Sequence, residues 1–515
     1  MAYREEVANE ARPVATAAPG STAAGPRAVA VALAALVVLR LGFWLLAPPN
    51  SDEAYYWLWG RHPALSYLDH PGLLAWVQGL FHATLGRSLL VLRLPAALTT
   101  AATIGLLARL TAALPGAPRP TLPLAAAVLL ASPLFLMLTS FAWHDHLLIP
   151  LVLLSGGLFV DVLAEVAAGR RGSTTSLLCA GAALGLAALA KYSAVFVAVG
   201  VAGTITVDPR LRRLWRDPRL YAAALLCLAV MTPLLAWNAA HGFASFRFQT
   251  TARIGGLPFH ASGPASFLLP SLLFLSPVLA WAMLAGWRAL PAGPGRPGVL
   301  RGLSGWIFAA STGAFLLISP LVWSRYYWNV VAYPLLLAPA AAWLATHPRA
   351  LRWHLGYGVV LAAAMVVHGA ILPLSALVPG VQDDDSVEVY GWGDVAEAVR
   401  AEARRAPIGF VALTDYRPAS HLAWALGDAD RVAVLGDSPS AFDAWFDPAR
   451  HCGEDAVIVT DHRAPLAPEL AAAFERIEPV GTAPVVRLGV HLKDYRLWRG
   501  VRFRGRGPGP TGCSR

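Results

Sequence analysis

The chain has 515 residues, of which 56% are hydrophobic and only 14% charged, where about a quarter charged is usual for soluble proteins. With a mean hydropathy of +0.53, most of its apolar surface needs lipid as the outer solvent, which excludes a cytosolic enzyme. The formal charge is +10, but residues 1–382 carry 25 Lys+Arg against 11 Asp+Glu, whereas 383–515 carry 16 against 20. The basic excess belongs to the membrane part, and no nucleic acid is expected as a partner.

Residues 1–26 are Ala/Pro/Gly-rich and polar and read as a disordered cytoplasmic tail. Apolar runs able, or nearly able, to cross ~30 Å of hydrocarbon follow near 27–47, 89–113, 122–140, 145–166, 174–190, 192–207, 219–239, 264–289, 302–322, 326–346 and 352–374. They predict a polytopic α-helical membrane domain over 27–382 with eleven spans, in a range of 11–13. The shorter stretch Gly72–Leu85 predicts an interfacial helix in the first outer loop, with a twelfth span as the alternative. Counting cations at alternate ends puts seventeen arginines on the side of the N-terminus and seven Lys/Arg on the other. Cytoplasmic loops retain cations, so the N-terminus is expected inside, and an odd number of spans places the C-terminus outside. The region 383–515 alternates β-rich runs (GFVALTD, RVAVLGD, DAVIVTD, PVVRLGV, YRLWRG) with helical patterns (DVAEAVRAEARR, PELAAAFERI). This predicts a small extracytoplasmic α/β domain, read as accessory. Cys452 and Cys513 lie in it and form a candidate disulfide if that compartment is oxidising.

Four acids of the membrane part fall on the outer side: Asp52, Glu53, Asp69 and Asp145. Asp52 and Glu53 open SDEAYYWLW, where acids in a first turn simply complement a helix dipole. The aromatic residues that follow would lay this helix in the headgroup layer, and a partly desolvated carboxylate there suits a general base. Asp69 and His70 precede Pro71 and read equally as a turn or as part of a site. In FAWHDHLLIP, His144, Asp145 and His146 are candidate ligands for a divalent metal ion, although three consecutive residues do not share one helix face. Lysine occurs only at Lys191 and Lys493, against 39 arginines. Lys191, beside Tyr192 at an outer boundary, either snorkels or holds a phosphate. Arg325, followed by Tyr326, carries a fork suited to phosphate oxygens, and Arg253 sits in a basic, glycine-containing loop able to close over a substrate.

In order and content, SDEAYYWLW, SYLDHPGLLAW, RSLLVLRLPAAL, FAWHDHLLIP, LAKYSAVF and SRYYWNVVAYPLLL resemble the bacterial GT-C membrane glycosyltransferases. The resemblance is to the branch of the protein O-mannosyltransferases and the lipid A aminoarabinose transferase, and covers about residues 27–346. GWGDVAEAVR and TDYRPASHLAWAL are similar to the periplasmic domain of many members. The resemblance implies a polyprenyl-phosphate-linked sugar as donor, transfer with inversion on the extracytoplasmic face of the membrane, and an envelope glycan, lipid or protein hydroxyl as acceptor. It implies Asp52 as the catalytic carboxylate with Glu53 beside it, and Lys191 and Arg325, with Tyr192 and Tyr326, at the donor phosphate. Asp69, His70, Asp145 and Arg253 would serve the acceptor or its loop. Two departures stand out: His144 precedes Asp145 where the family has Asn or Pro, and Asp69-His70-Pro71-Gly72 lacks a second proline. A transporter or flippase of lipid-linked or anionic substrates is the alternative. Ionisable groups gathered at one interface, rather than near the midplane, favour the enzyme.

Overall fold

Lipid leaves backbone groups no partner but each other, so the apolar runs fold as helices. The structure, a computed structural model, describes residues 26–117, 121–252, 258–378, 384–428, 430–436, 439–505 and 513. The tail expected over 1–26 and the domain boundary expected at 383 fall almost wholly outside the described residues. Five helices are long and apolar enough to cross a bilayer unaided: Arg27–Leu46, Leu89–Ala112, Asp145–Ala167, Arg296–Ile318 and Pro348–Ile371. Four more candidate crossings are sharply bent pairs: Thr121–Leu130 with Pro133–Ser140, Pro218–Val230 with Thr232–Ala240, Gly263–Leu275 with Pro277–Ala289, and Tyr326–Ala332 with Pro334–Thr346. Each second member of these pairs begins with a proline in its first turn. Proline lacks the N–H that would continue the preceding helix, yet suits the start of the next. Two shorter apolar helices, Thr174–Ala190 and Tyr192–Val207, occupy the other two of the eleven windows.

Between the first two long spans the chain forms two short helices, Ser51–Arg61 and Leu73–Leu85. They cross at Gly60 and Gly79, where a Cβ on Gly60 would lie 2.7 Å from Gly79 N and one on Gly79 would lie 2.8 Å from Gly60 O. No larger residue permits this backbone approach.

The C-terminal region builds a five-stranded sheet in the order β2-β1-β3-β5-β4, from β1 (Phe410–Leu413), β2 (Val432–Val434), β3 (Ala456–Thr460), β4 (Phe474–Arg487) and β5 (Val490–Phe503). β1 pairs in parallel with both β2 and β3, while β5 and β4 extend the sheet as an antiparallel hairpin. Helix Tyr416–Leu426 connects β1 to β2. The helix expected over PELAAAFERI is short, Pro468–Ala472, and Phe474 starts β4 instead. Phe474 is buried against Phe410 and Phe503, so tertiary packing overrides the local helical pattern. Cys452 and Cys513 are disulfide-bonded.

Candidate active site

The first-loop helix Ser51–Arg61 begins with a reciprocal cap: Glu53 N–H donates to Asn50 Oδ1 at 2.9 Å, and Asn50 N–H donates to Glu53 Oε2 at 3.3 Å. Glu53 also accepts Arg93 Nε on Oε1 at 2.9 Å, Arg93 Nη2 on Oε2 at 2.7 Å and Ala142 N–H on Oε1 at 3.0 Å. Arg93 directs further N–H groups at the carbonyls of Phe43, Ala47 and Pro48. Both side chains are fully buried. Such a pair costs desolvation and persists because every charge is met by several hydrogen bonds. Glu53 thus ties the end of the first span to the first-loop helix and to the loop at Ala142, and its occupied oxygens leave no acceptor for a substrate proton. This corrects the expectation that Glu53 shares the catalytic part with Asp52. Its capping position was legible in the sequence, whereas its partner Arg93, 40 residues away, was not.

Asp52 has different surroundings. It is half-buried, and among the described residues its carboxylate makes no hydrogen bond or ion pair. Its pKa is raised to about 6, first by burial and then by Asp69, against the lowering pull of Arg417 and Arg325. One carboxylate therefore faces another acid and two guanidinium groups brought from distant parts of the chain.

Tyr327 lies within electrostatic range of Asp52, Arg325 and Asp145. Lys191 Nζ lies 5.7 Å from its ring and the Trp143 ring 5.5 Å away. Trp143 Nε1 donates to Asn50 Oδ1 at 3.2 Å, joining the loop before Asp145 to the cap of the first-loop helix. Lys191 Nζ pairs with Asp145 Oδ1 at 2.8 Å, both nearly buried. Arg325 is exposed, forms no ion pair among the described residues, and stands 5.2 Å over the Trp323 ring. Of the two expected phosphate cations, Arg325 thus has no ion-pair partner among the described residues, while Lys191 is paired with Asp145. The neighbouring tyrosines make packing contacts: Tyr192 OH bonds Ser245 Oγ at 2.6 Å, and Tyr326 stacks on Phe274 at 4.4 Å.

The metal-ligand candidates diverge. His144 packs against His70 at 4.3 Å and Tyr56 at 4.4 Å, Asp145 turns to Lys191, and His146 Nδ1 meets the Thr99 hydroxyl at 3.0 Å. Among the described residues no group of three or more His, Cys, Asp or Glu is arranged to hold a metal ion, so these side chains do not fit one. Asp69 contributes its backbone carbonyl to Gln249 Nε2, which draws the loop after Ala240 towards the site. Arg253 lies outside the described residues.

The sequence reading missed the part played by the C-terminal domain. Tyr416 sits 4.7 Å from the Tyr55 ring, and Phe442 stacks on Tyr55 at 6.1 Å. Ala441 N–H donates to the Tyr55 hydroxyl at 2.8 Å, and Trp424 meets Trp57 edge-on at 5.1 Å. Arg417 follows directly and acts on Asp52. The aromatic run after Asp52 is therefore a docking surface for this domain and not the headgroup-layer belt expected of it, since Tyr55, Tyr56, Trp57 and Trp59 are all buried in the protein. TDYRPASHLAWAL carried the signal, as an aromatic and a cation at the start of a helix, but nothing local tied it to a loop over 350 residues earlier.

Residues 69–237 match the family of dolichyl-phosphate-mannose-protein mannosyltransferases. The chain is 24% identical over 367 residues to the lipid A galacturonosyltransferase RgtD of Rhizobium johnstonii, covering 67% of this chain and 71% of that protein. Its fold is similar to crystal structures of ArnT from Cupriavidus metallidurans. The form bound to undecaprenyl phosphate has a TM-score of 0.63 at 14% identity, and the apo form 0.60 at 15%, each covering 91% of this chain and 97% of that one.

Proposed function

We propose that this chain, a membrane glycosyltransferase of the GT-C class in the protein O-mannosyltransferase and aminoarabinose transferase branch, uses Asp52 as the general base of sugar transfer from a polyprenyl-phosphate-linked donor. The observation that carries this reading is that Asp52, whose carboxylate makes no hydrogen bond or ion pair among the described residues, is set near pKa 6 and faces Arg325 and Arg417. An acceptor hydroxyl gives its proton to Asp52 while its oxygen bonds the anomeric carbon. The bond from that carbon to the donor phosphate oxygen breaks, and the configuration inverts. The leaving polyprenyl phosphate is already a stable anion, so no general acid is required, and Arg325 neutralises it as charge develops. The Lys191–Asp145 pair lies beside Tyr327 and keeps two ammonium N–H groups for phosphate oxygens. Glu53 with Arg93 is a positioning pair that fixes the helix carrying Asp52.

The extracytoplasmic orientation of this site is supported by the cation asymmetry of the loops and by the Cys452–Cys513 disulfide, a bond that persists in oxidising compartments. Undecaprenyl phosphate bound to the ArnT structure supports a polyprenyl carrier, and the lipid A galacturonosyltransferase makes a glycolipid of the envelope the favoured acceptor class. Mass spectrometry of envelope glycans tests the reading. Cells lacking the protein lose one sugar-bearing species, which the wild-type chain restores and Asp52→Asn does not. Unchanged glycans, or restoration by Asp52→Asn, would overturn it.

A further inference from the structure

The parallel strands of the C-terminal sheet end in a crevice of about 470 Å³. The connection from β1 runs to β2 on one side, and the chain then passes back beyond β1 to β3 on the other. The crevice therefore lies where the strand order reverses, outside the carboxyl ends of the strands, the place where open α/β sheets hold ligands. Its walls include Thr414 and Arg417 after β1, Gly436 after β2, Asp461 and Arg463 after β3, and Glu388 from the segment that leaves the membrane. The charges are interleaved: Arg417 Nε pairs with Asp415 at 3.0 Å, Arg463 with Asp385 at 3.0 Å, and Lys493 with Asp461 at 2.6 Å. Burial raises Glu388 to about 7. A small anion or cation entering here meets both signs together. A neutral ligand rich in hydroxyl groups meets alternating fixed donors and acceptors, which suits bidentate recognition. Arg417 is both a wall of this crevice and one of the cations acting on Asp52.

We propose that this crevice holds the saccharide part of the acceptor, so that the C-terminal domain presents the sugar hydroxyl to Asp52. The inference rests on the reading of Asp52 as the base of glycosyl transfer. Its test uses the full chain in lipid nanodiscs and the dephosphorylated, deacylated glucosamine disaccharide of lipid A as probe, followed by saturation-transfer NMR. The wild type and Asp52→Asn bind the probe alike. Ala467→Trp, which fills the crevice, and Arg463→Gln, which removes a wall cation, each weaken binding at least tenfold and leave undecaprenyl phosphate binding unchanged. Absence of probe binding to the wild type, or equal binding by all four proteins, overturns the proposal. Transfer by Asp52→Asn would instead remove the base, and leaves the binding result standing.

A second feature stands apart from the chemistry. The turn between β4 and β5 places Leu488 at φ 49° and Gly489 at φ 79°. Asn-Gly suits such a turn, and leucine is disfavoured there. Leu488 is nonetheless 77% exposed and Val486 52%. The neighbouring Arg487 lies 5.1 Å over the Tyr390 ring, and Tyr390 OH donates at 2.7 Å to the carbonyl of His368, in the last turns of the crossing Pro348–Ile371. Leu377 and Val378, just beyond that crossing, are also exposed. The geometry points to a hairpin tip that dips into the outer leaflet and fixes the C-terminal domain against the lipid surface. A nitroxide at Leu488→Cys, in a Cys179→Ser/Cys227→Ser background reconstituted in phosphatidylethanolamine and phosphatidylglycerol vesicles, tests this by EPR power saturation. The label at 488 is more accessible to oxygen than to a nickel chelate, the reverse of one at Glu478→Cys. The same accessibility pattern at both positions overturns it.

Discussion

Asp52 and Glu53 are adjacent in the chain and opposite in circumstance. Glu53 has a guanidinium and two backbone N–H groups on its oxygens, whereas Asp52 has none. A base must be deprotonated to work, so with its pKa near 6 activity is full well above that pH and is lost as pH falls through it. The acid limb of kcat/KM is therefore centred near pH 6. Asp69→Asn removes the acid that raises Asp52 and moves that limb to lower pH, which a pH–rate profile of both proteins reads directly. For the buried pair, Arg93→Leu leaves Glu53 charged, without its counter-ion and with only two backbone N–H partners, and costs about 3–5 kcal/mol. The Glu53→Leu/Arg93→Leu double variant recovers most of this in thermal unfolding. That Asp52 belonged to a cluster of acids and aromatic residues was legible from the run SDEAYYWLW. That Glu53 was spoken for was not, because its partner is set by how two spans pack.

At the scale of elements, hydropathy placed a helix or a bent helix pair in each apolar window, but of the eleven expected spans the described residues supply five crossings, or nine if each bent pair is one, and two helices shorter than that. It did not show that four crossings bend, although a proline at each break marks the place. The first-loop helix is held from behind by the glycine crossing at Gly60 and Gly79. Gly79→Val pushes that helix outward and carries Asp52 with it. Turnover then falls by about 100-fold, the usual effect of a displacement near 1 Å, while undecaprenyl phosphate binding is retained. Measuring both on the same membrane preparation separates a misplaced base from a misfolded protein. The helix expected through Phe474 failed for the complementary reason, since a long-range aromatic contact decided its state.

Across the whole molecule, two regions that composition separates are joined at the candidate site. Residues beyond 383 are charged and alternate β-rich runs with helical patterns, which in sequence marks them as an appendage. In the structure they place Tyr416 against Tyr55 and Arg417 within electrostatic reach of Asp52. Such contacts have no periodicity and no local spacing, and only the folded chain brings them together. Truncation after residue 383 is therefore expected to abolish transfer rather than merely weaken it, as judged by glycan mass spectrometry with insertion of the truncated chain verified in membranes.

The most direct measurement is a single-turnover assay of purified wild-type and Asp52→Asn protein, with a polyprenyl-phosphate sugar donor and the acceptor found from the glycan analysis. Donor affinity is measured in parallel. The account predicts equal donor binding and a transfer rate lowered by about three orders of magnitude or more in the variant, in line with loss of a positioned base. Transfer at the wild-type rate by Asp52→Asn would contradict it.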